Sequence, residues 1–197
     1  MNNFTFNDVN GKHEYKLNGR KLPSVTTVIS TVLNIDYSFL DPWYRDFGTA
    51  VHKAVELDIM DGLDERSVMP EALICLLAFR EFVEKVNLRS IVPETRLYNE
   101  KLMVAGTMDI IADLQGEKYI IDLKTAGNKS TKKSGWHKIQ TAGYSLLYDK
   151  DQKNPPKRGA LYLFREGGYE FIPHPDVRDT HMFDSMVKVY HSLGRYK

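Results

Sequence analysis

The chain has 197 residues, of which 42% are hydrophobic and 27% are charged, the composition of an ordinary globular protein with a sizeable core. Its net charge of +1 and its isoelectric point of 7.8 do not indicate a general nucleic-acid coat, because such domains are clearly basic. A nucleic-acid enzyme with a local basic patch remains compatible with these values.

Several other classes of protein are excluded by simple patterns. A single cysteine, Cys75, excludes an intrachain disulfide and an iron–sulfur cluster held by four cysteines of one chain. No glycine-rich phosphate-binding motif of the Gly-x-x-x-x-Gly-Lys-Ser/Thr type occurs, so no ATP site is predicted. The chain has no apolar run of the roughly 18 residues that span a bilayer, and its first residues have neither the basic start nor the apolar core of a signal peptide. A cytoplasmic location and no membrane partner are therefore expected.

The first part of the chain predicts a β-hairpin followed by three helices. Asn18-Gly19 is a strong hairpin turn between two short alternating segments. Ser24 fits the N-cap of a first helix, and Asp41 with Pro42 begins a second helix that extends to residue 58. A third helix is predicted over residues 70–87. The apolar positions expected to face the core are Val25, Val28, Ile29, Val32 and Leu33 in the first helix and Leu73, Leu76, Leu77, Val83 and Val86 in the third.

From residue 90 the hydrophobic period changes from that of helices to that of strands. Strands are predicted over residues 91–98, over residues 102–113 with a break at Gly106, and over residues 117–125. A polar, mobile loop at 127–135 is followed by a helix to residue 149. A late hairpin turns at Gly167-Gly168, and a last helix runs from residue 177 to 193. Its inward positions are expected to be Met182, Phe183, Met186, Val189 and Tyr190.

This order of elements predicts an α/β (α+β) fold with a central mixed β-sheet flanked by helices. No internal repeat or linker divides the chain, so residues 1–197 are expected to form one domain. Within it, a hairpin and helical portion (about 1–88) precedes a sheet core (about 89–197).

The strongest functional signal is a pair of carboxylates and an amine on two neighbouring strands. Side chains alternate along a strand, so Asp122 and Lys124 point to the same face, with Leu123 opposite. A hairpin between the two apolar runs would bring Asp109 beside them. Carboxylate oxygens suit Mg²⁺ or Mn²⁺, and a nearby lysine can orient an attacking water or take its proton. The arrangement predicts metal-assisted hydrolysis of a phosphodiester.

The alternative interpretation is a structural ion pair, because Asp-x-Lys is a common triplet. The context favours a functional site. Asp122 and Lys124 lie within apolar runs that read as buried strands, where charged side chains carry a desolvation penalty that is usually retained for an ion pair or for function.

Two helical pairs add further polar candidates. His52 and Glu56 are four residues apart and share a helix face, where an imidazole could ligate a metal, although a structural His–Glu pair explains the same spacing. Gln140 and Tyr144 are also four apart and could contact phosphates or stack on a base.

A run of lysines follows the candidate site. Lys129, Lys132 and Lys133 lie in the polar loop, with no acidic residue among residues 125–138. Such a loop could grip a phosphate backbone. A solvated loop without function explains the same composition.

Taken in order, four segments resemble the PD-(D/E)XK nuclease superfamily, and in particular its RecB-like exonuclease branch. They are residues 48–52 (Gly-Thr-Ala-Val-His), 106–109 (Gly-Thr-Met-Asp), 122–124 (Asp-Leu-Lys) and 140–144 (Gln-Thr-Ala-Gly-Tyr). The resemblance covers roughly residues 23–150. The segment 22–28 also looks like the opening of phage-borne members and of the mitochondrial genome maintenance exonuclease group.

The resemblance implies roles for the matching residues. His52, Asp109 and Asp122, together with the Leu123 backbone carbonyl, would bind Mg²⁺ or Mn²⁺. Asp109, Asp122 and Lys124 would be the catalytic residues, with Lys124 orienting or activating the water. The last motif reads Asp-x-Lys where the family more often has Glu-x-Lys, a change that the chemistry permits.

The remaining positions carry weaker implied roles. Gln140 and Tyr144 would hold the substrate strand or the region around the lysine. Glu94 matches a frequent acidic position of the branch, and Glu56 is a further candidate. Relatives that bind an iron–sulfur cluster carry four cysteines, so those forms are disfavoured.

The implied function is a metal-dependent DNA exonuclease that leaves 5′-phosphate products. Its partners would be single-stranded DNA or duplex ends and a recombination or replication protein, in the cytoplasm of a bacterial host with a phage as one source of the gene. Two alternatives stay open: a structure-specific or restriction-like endonuclease on the same fold, and a non-catalytic nucleic-acid- or protein-binding module. The presence of every expected polar position argues against the last.

Overall fold

The structure, a computed structural model, describes residues 3–9, 12–36 and 41–194. The strands are β1 Phe4–Val9, β2 Lys12–Leu17, β3 Arg20–Leu22, β4 Arg89–Asn99, β5 Val104–Leu114, β6 Glu117–Ala126, β7 Lys157–Phe164 and β8 Tyr169–Pro173. The α-helices are α1 Val25–Leu33, α2 Pro42–Ile59, α3 Pro70–Val86, α4 His137–Tyr148 and α5 Arg178–Leu193, with a short 3₁₀ turn at Glu65–Ser67.

The first three strands form a small antiparallel sheet in the order β1-β2-β3. Its second turn is the predicted one: Asn18 and Gly19 both have positive φ, 52° and 79°, as a two-residue hairpin turn of type I′ requires. The Ser24 side chain then accepts a hydrogen bond from the Thr27 amide and caps α1, which confirms the predicted helix start.

The main sheet has five strands in the order β4-β5-β6-β7-β8. All neighbours are antiparallel except β6 and β7, which run parallel and are connected through α4. The predicted mixed sheet flanked by helices is therefore confirmed. This architecture is consistent with the restriction-endonuclease-like fold.

Two apolar cores lie on the two faces of the main sheet. Residues of α2 and α3, including Phe47, Phe79 and the buried thiol of Cys75, pack with Ile121 and Leu161 on one face. The opposite core joins α1, α4 and α5 to the other face of the sheet. Its members include Val28, Ile29, Leu147, Phe183, Met186 and, from the sheet, Met108 and Ile120. The helices therefore form a layer on each side of the sheet.

Some predicted details were wrong. Strand β5 is not broken at Gly106, which pairs with Leu97 on β4. A glycine fits this position because the ring of Tyr144 packs where a side chain would lie. Four residues expected to be inward are instead exposed, because their helices are apolar over a wider arc than the sheet covers. They are Leu33, Leu77, Met182 and Val189.

The β5–β6 ladder stops part of the way along the two strands. Its last pair on the side of the site is Ile110 with Ile121, whereas both strands continue beyond it. Beyond that point the edge of β5 is taken by another segment, since the Ala105 amide donates a 3.0 Å hydrogen bond to the Pro23 carbonyl. A gap therefore opens between β5 and β6 next to Asp109.

No helix among the described residues combines the length and the hydropathy that a membrane crossing requires.

Candidate active site

Asp109 lies in the gap where β5 and β6 separate. Its Oδ2 accepts a 2.7 Å hydrogen bond from the Leu123 amide, so its side chain replaces the backbone partner that the ladder no longer supplies. Its Oδ1 lies 3.4 Å from His52 Nδ1 on α2. One carboxylate therefore connects the two strands with the helix.

Asp122 and Lys124 share a face of β6, as strand alternation predicts, while Leu123 packs into the opposite core. Lys124 Nζ lies 2.6 Å from Asp122 Oδ2, and Asp122 is only 1% exposed. Its Oδ1 has no hydrogen-bond partner within the described residues. Buried carboxylate oxygens usually have such partners, so this atom is available to bind a cation.

His52, Glu94 and Asp109 offer ligand atoms that all lie within 4.8 Å of one another. They come from three elements: His52 from α2, Glu94 from β4 and Asp109 from β5. Sequence reasoning gave Glu94 a low rank because no local pattern places it opposite Asp109.

The register of β4 explains the position of Glu94. Pro93 pairs with Ile110 and Thr95 with Met108, so Glu94 and Asp109 face each other across the two strands. Glu94 has φ = 47°, a left-handed conformation that is uncommon for residues other than glycine. Such local strain clusters at functional sites.

The His52–Asp109 pair is electrostatically favourable. Burial acts to lower the pKa of His52, but the Asp109 carboxylate outweighs it and the pKa is raised. Burial acts to raise the pKa of Asp109, and the opposing effects of His52, Lys124 and the Leu123 amide hold it below its usual value. In the metal-free protein, the pair therefore favours its ionised forms.

Two carboxyl groups at the site show the opposite behaviour. Burial raises the pKa of Asp122 to about 6, with Lys124 opposing and Asp109 reinforcing the effect. Burial and the nearby Asp109 raise the pKa of Glu94 to about 7. The positive charges of nearby side chains therefore do not offset the effect of burial on the pKa values of these two carboxyl groups.

These observations fit a divalent metal ion. The donor set is an imidazole and carboxylate oxygens, which suits Mn²⁺ or, through the carboxylates, Mg²⁺. The unpartnered oxygen of Asp122 and the raised pKa values of Asp122 and Glu94 are the features that a bound cation would relieve. A bound ion is expected to be held by His52, Glu94, Asp109 and Asp122.

Gln140 and Tyr144 stand behind this site on α4. Gln140 Nε2 donates a 3.1 Å hydrogen bond to the Tyr144 hydroxyl, and both residues are buried. Burial raises the pKa of Tyr144 well above its ordinary value, with Asp122 and Asp109 adding to the effect. Tyr144 also lines the adjoining cleft, and both predicted roles, holding the substrate strand or the region around Lys124, stay predictions.

The other predicted residues lie at different distances from the site. Glu56 lines the adjoining cleft, and one of its oxygens lies 2.8 Å from Lys53 Nζ. Lys129, Lys132 and Lys133 lie on the loop after β6, and Lys133 is paired with Glu170 at 2.7 Å. The loop lysines are not among the residues that line the cleft. Their binding role stays a prediction, as does that of the Leu123 carbonyl.

Sequence reasoning missed two polar contacts around the motifs. The Tyr15 hydroxyl from the small sheet lies 2.8 Å from Thr107 Oγ1, two residues before Asp109. On the other side of the site, Tyr162 of β7 is in register with Lys124 of β6. The Tyr162 hydroxyl lies 2.7 Å from His137 Nδ1. No local signal could have found either contact, because both join segments far apart in the chain.

Comparisons with known proteins agree with this fold. A family model described as the PD-(D/E)XK nuclease superfamily matches residues 64–188. No curated protein matches the chain in sequence.

Two solved structures that this chain resembles are distant from it in sequence. A structure from Eubacterium rectale described as "Putative exonuclease" is 13% identical with a TM-score of 0.50, and the match covers 86% of this chain and 72% of that one. The structure described as SSO0001 is 14% identical with a TM-score of 0.42, covering 86% and 74% of the two chains. At these identities the likeness concerns the fold alone.

Proposed function

The chain belongs to the PD-(D/E)XK nuclease superfamily, and from this premise we propose that it is a DNA exonuclease dependent on Mg²⁺ or Mn²⁺. Nucleases of this superfamily use divalent metal ions and act on nucleic acids. The observation that carries the proposal is the convergence of His52, Glu94 and Asp109 beside Asp122, whose buried carboxylate lacks a partner for one oxygen among the described residues. The exonuclease description of the Eubacterium rectale protein supports the choice of exonuclease.

The residues divide the work of hydrolysis between them. When bound, the divalent cation supplies positive charge that stabilises the transition state and makes water more acidic. His52, Glu94, Asp109 and Asp122 provide the ligand atoms. Lys124, held 2.6 Å from Asp122, has donors with which to orient the attacking water towards the phosphorus.

The reaction needs no covalent enzyme intermediate. The water oxygen forms a new bond to phosphorus, the bond from phosphorus to the 3′ oxygen breaks, and that oxygen takes up a proton. The products are a 5′-phosphate and a 3′-hydroxyl. The proposed setting is DNA recombination, repair or replication in a phage or its bacterial host.

The test is a cleavage assay with Mg²⁺ and, separately, Mn²⁺ on end-labelled linear DNA and on closed circles, comparing the wild type with Lys124→Ala. Metal-dependent loss of linear DNA alone, abolished by Lys124→Ala, is the expected result. Cut circles would identify an endonuclease instead. A folded, metal-binding protein that cleaves none of these substrates would refute the proposal and favour a binding module.

A further inference from the structure

A cleft of about 1350 Å³ leads from the surface to the candidate metal site. The small sheet and the start of α1 form one side, and α2 forms another. His52, Glu94 and Asp109 are among its lining residues. Any polymer that reaches the site through this cleft must therefore pass between the small sheet and α2.

Arg96 is one of the cationic side chains that line this cleft. It lies on β4 two residues after Glu94, and its guanidinium carbon is 4.0 Å from the centre of the Phe6 ring on β1. The side chain is exposed and, within the described ranges, forms no ion pair with a carboxylate. Because the Phe6 ring fixes the guanidinium plane, its N–H edges remain available for a bidentate contact with phosphate.

Most other lysine and arginine side chains of the cleft already form ion pairs with carboxylates. Lys21 pairs with Glu14, Arg45 with Asp46, and Lys53 with Glu56. Arg20 on β3 resembles Arg96, since it is exposed, lines the cleft and has no carboxylate partner in the part of the chain that the structure describes. The small sheet and the adjacent β4 therefore supply the available positive charge.

Several aromatic rings line this cleft, and two of them, Phe6 and Tyr44, bear on how a strand is bound. Phe6 is half-buried under Arg96, and Tyr44 on α2 is 55% exposed. Proteins that bind single strands combine a cationic groove with aromatic side chains on which unpaired bases stack. In a duplex the base faces are covered by neighbouring base pairs, so an exposed ring in a groove, such as that of Tyr44, favours a single strand.

Resting on the proposed nuclease function, we infer that one strand of DNA lies in the cleft between the small sheet and α2, with its phosphates bound by Arg96 and Arg20. Tyr44 provides a stacking surface for its bases, and Phe6 holds the Arg96 guanidinium in place. The main phosphate contacts are therefore provided by the small sheet and the adjacent β4. The loop lysines Lys129, Lys132 and Lys133 then have at most a secondary part.

The inference is tested by fluorescence anisotropy with a labelled oligothymidylate and with a labelled hairpin duplex in Mg²⁺. Every protein carries Lys124→Ala, which preserves the strand. Arg96→Gln is expected to weaken single-strand binding about tenfold, because it removes a charged hydrogen-bonding group. It should also reduce the slope of log affinity against log salt by about 0.7, the value for one contact with a single strand.

One further variant tests base stacking, and another serves as a control. Tyr44→Ala is expected to weaken binding about fivefold or more through loss of base stacking. The matched control is Arg66→Gln, because Arg66 is a surface arginine that pairs with Asp64 and does not line the cleft. Circular dichroism on each variant separates weakened binding from loss of fold.

Three results would overturn the inference: unchanged affinity and salt slope in Arg96→Gln, a larger loss from a triple loop variant in which Lys129, Lys132 and Lys133 become Gln, or equally tight binding of the hairpin duplex. The failure of the proposed function is a distinct result. Cleavage is measured separately on proteins that keep Lys124. Binding of the strand through Arg96 without cleavage by the Lys124 protein in either metal would support the cleft and refute the nuclease. Cleavage by Arg96→Gln at the wild-type rate would support the nuclease and refute the path of the strand through the cleft.

Discussion

Strands β5 and β6 can be divided into two halves that behave differently. The closed half, residues 110–114 with 117–121, is joined by an antiparallel backbone ladder and contributes Ile110 and Ile121 to the core. The open half, residues 104–109 with 122–126, lacks that ladder, and Asp109 bonds the Leu123 amide in its place.

The difference shows how one pair of strands can combine a stable backbone ladder with carboxyl groups whose burial is unfavourable. In the closed half, backbone groups satisfy one another and the fully buried side chains are apolar, so burial is favourable. In the open half, the same two strands carry Asp109 and Asp122, and burial raises the pKa of Asp122 to about 6. The closed half is expected to supply stability and the open half to supply chemistry.

The largest expected effect is the loss of cleavage in the open half. Asp122→Asn should lower the rate about 10²–10⁴-fold, as removal of one positioned catalytic group does. Stability at pH 8 should not fall, because the fold disfavours the charged form of this carboxyl. Rates of DNA hydrolysis and urea unfolding measure the two effects.

Asp113→Asn in the closed half is the matched control for this prediction. Asp113 forms a partly exposed pair with Lys118 at 2.8 Å, so this change should leave cleavage unaltered. Cleavage by Asp122→Asn at the wild-type rate would remove the open half from the mechanism.

In the closed half, Ile121→Ala should lower the free energy of unfolding by about 2–5 kcal/mol, since it leaves a cavity in a fully buried position. Urea unfolding measures the change. Leu77→Ala, at a 53% exposed apolar position, is the control and should change stability by about 0.5 kcal/mol or less. Equal effects in the two variants would contradict the assignment of stability to the closed half.

Glu94 gives a pH-dependent test at the edge of the open half. Its pKa is about 7 in the fold against an ordinary value of 4.5, so the metal-free folded protein binds more protons than the unfolded chain between these values. Wild-type stability contributed by this group therefore falls as pH rises through that window.

Glu94→Gln lacks this titration, so its advantage in stability over the wild type should grow from pH 4.5 to 7. It should then level off at no more than about 3 kcal/mol. Unfolding measured in the presence of a chelator from pH 4 to 9 gives the curve. A difference between the two proteins that does not vary with pH would contradict the burial of this carboxyl.

The smallest expected effect concerns the contact between the small sheet and the open half. Tyr15→Phe removes the 2.8 Å hydrogen bond to Thr107 and should lower the free energy of unfolding by about 0.5–1.5 kcal/mol. Chemical denaturation is sufficient to measure it. Tyr148→Phe removes a hydroxyl from a 41% exposed side chain and should have no measurable effect. A Tyr15→Phe protein as stable as the wild type would show that this bond does not hold the sheet in place.

Local patterns predicted the parts of the site that depend on a single element. Asp122 and Lys124 share a face because strands alternate, and their pairing at 2.6 Å follows from that period. The hairpin order likewise places Asp109 near them. Glu94 was ranked low because its position depends on the register between β4 and β5, which pairs Pro93 with Ile110 and cannot be inferred from the sequence of one strand.

Hydrophobic period, turn residues and motif order act over short distances, so they were sufficient to predict the mixed sheet, its flanking helices and most residues proposed for the metal site. Three features became visible only in the folded chain: the β5–β6 ladder opens at Asp109, Glu94 lies beside His52, and Arg96 stacks on Phe6. These arrangements depend on contacts between segments far apart in the chain. Tertiary packing determines such contacts, so a local sequence pattern does not predict them.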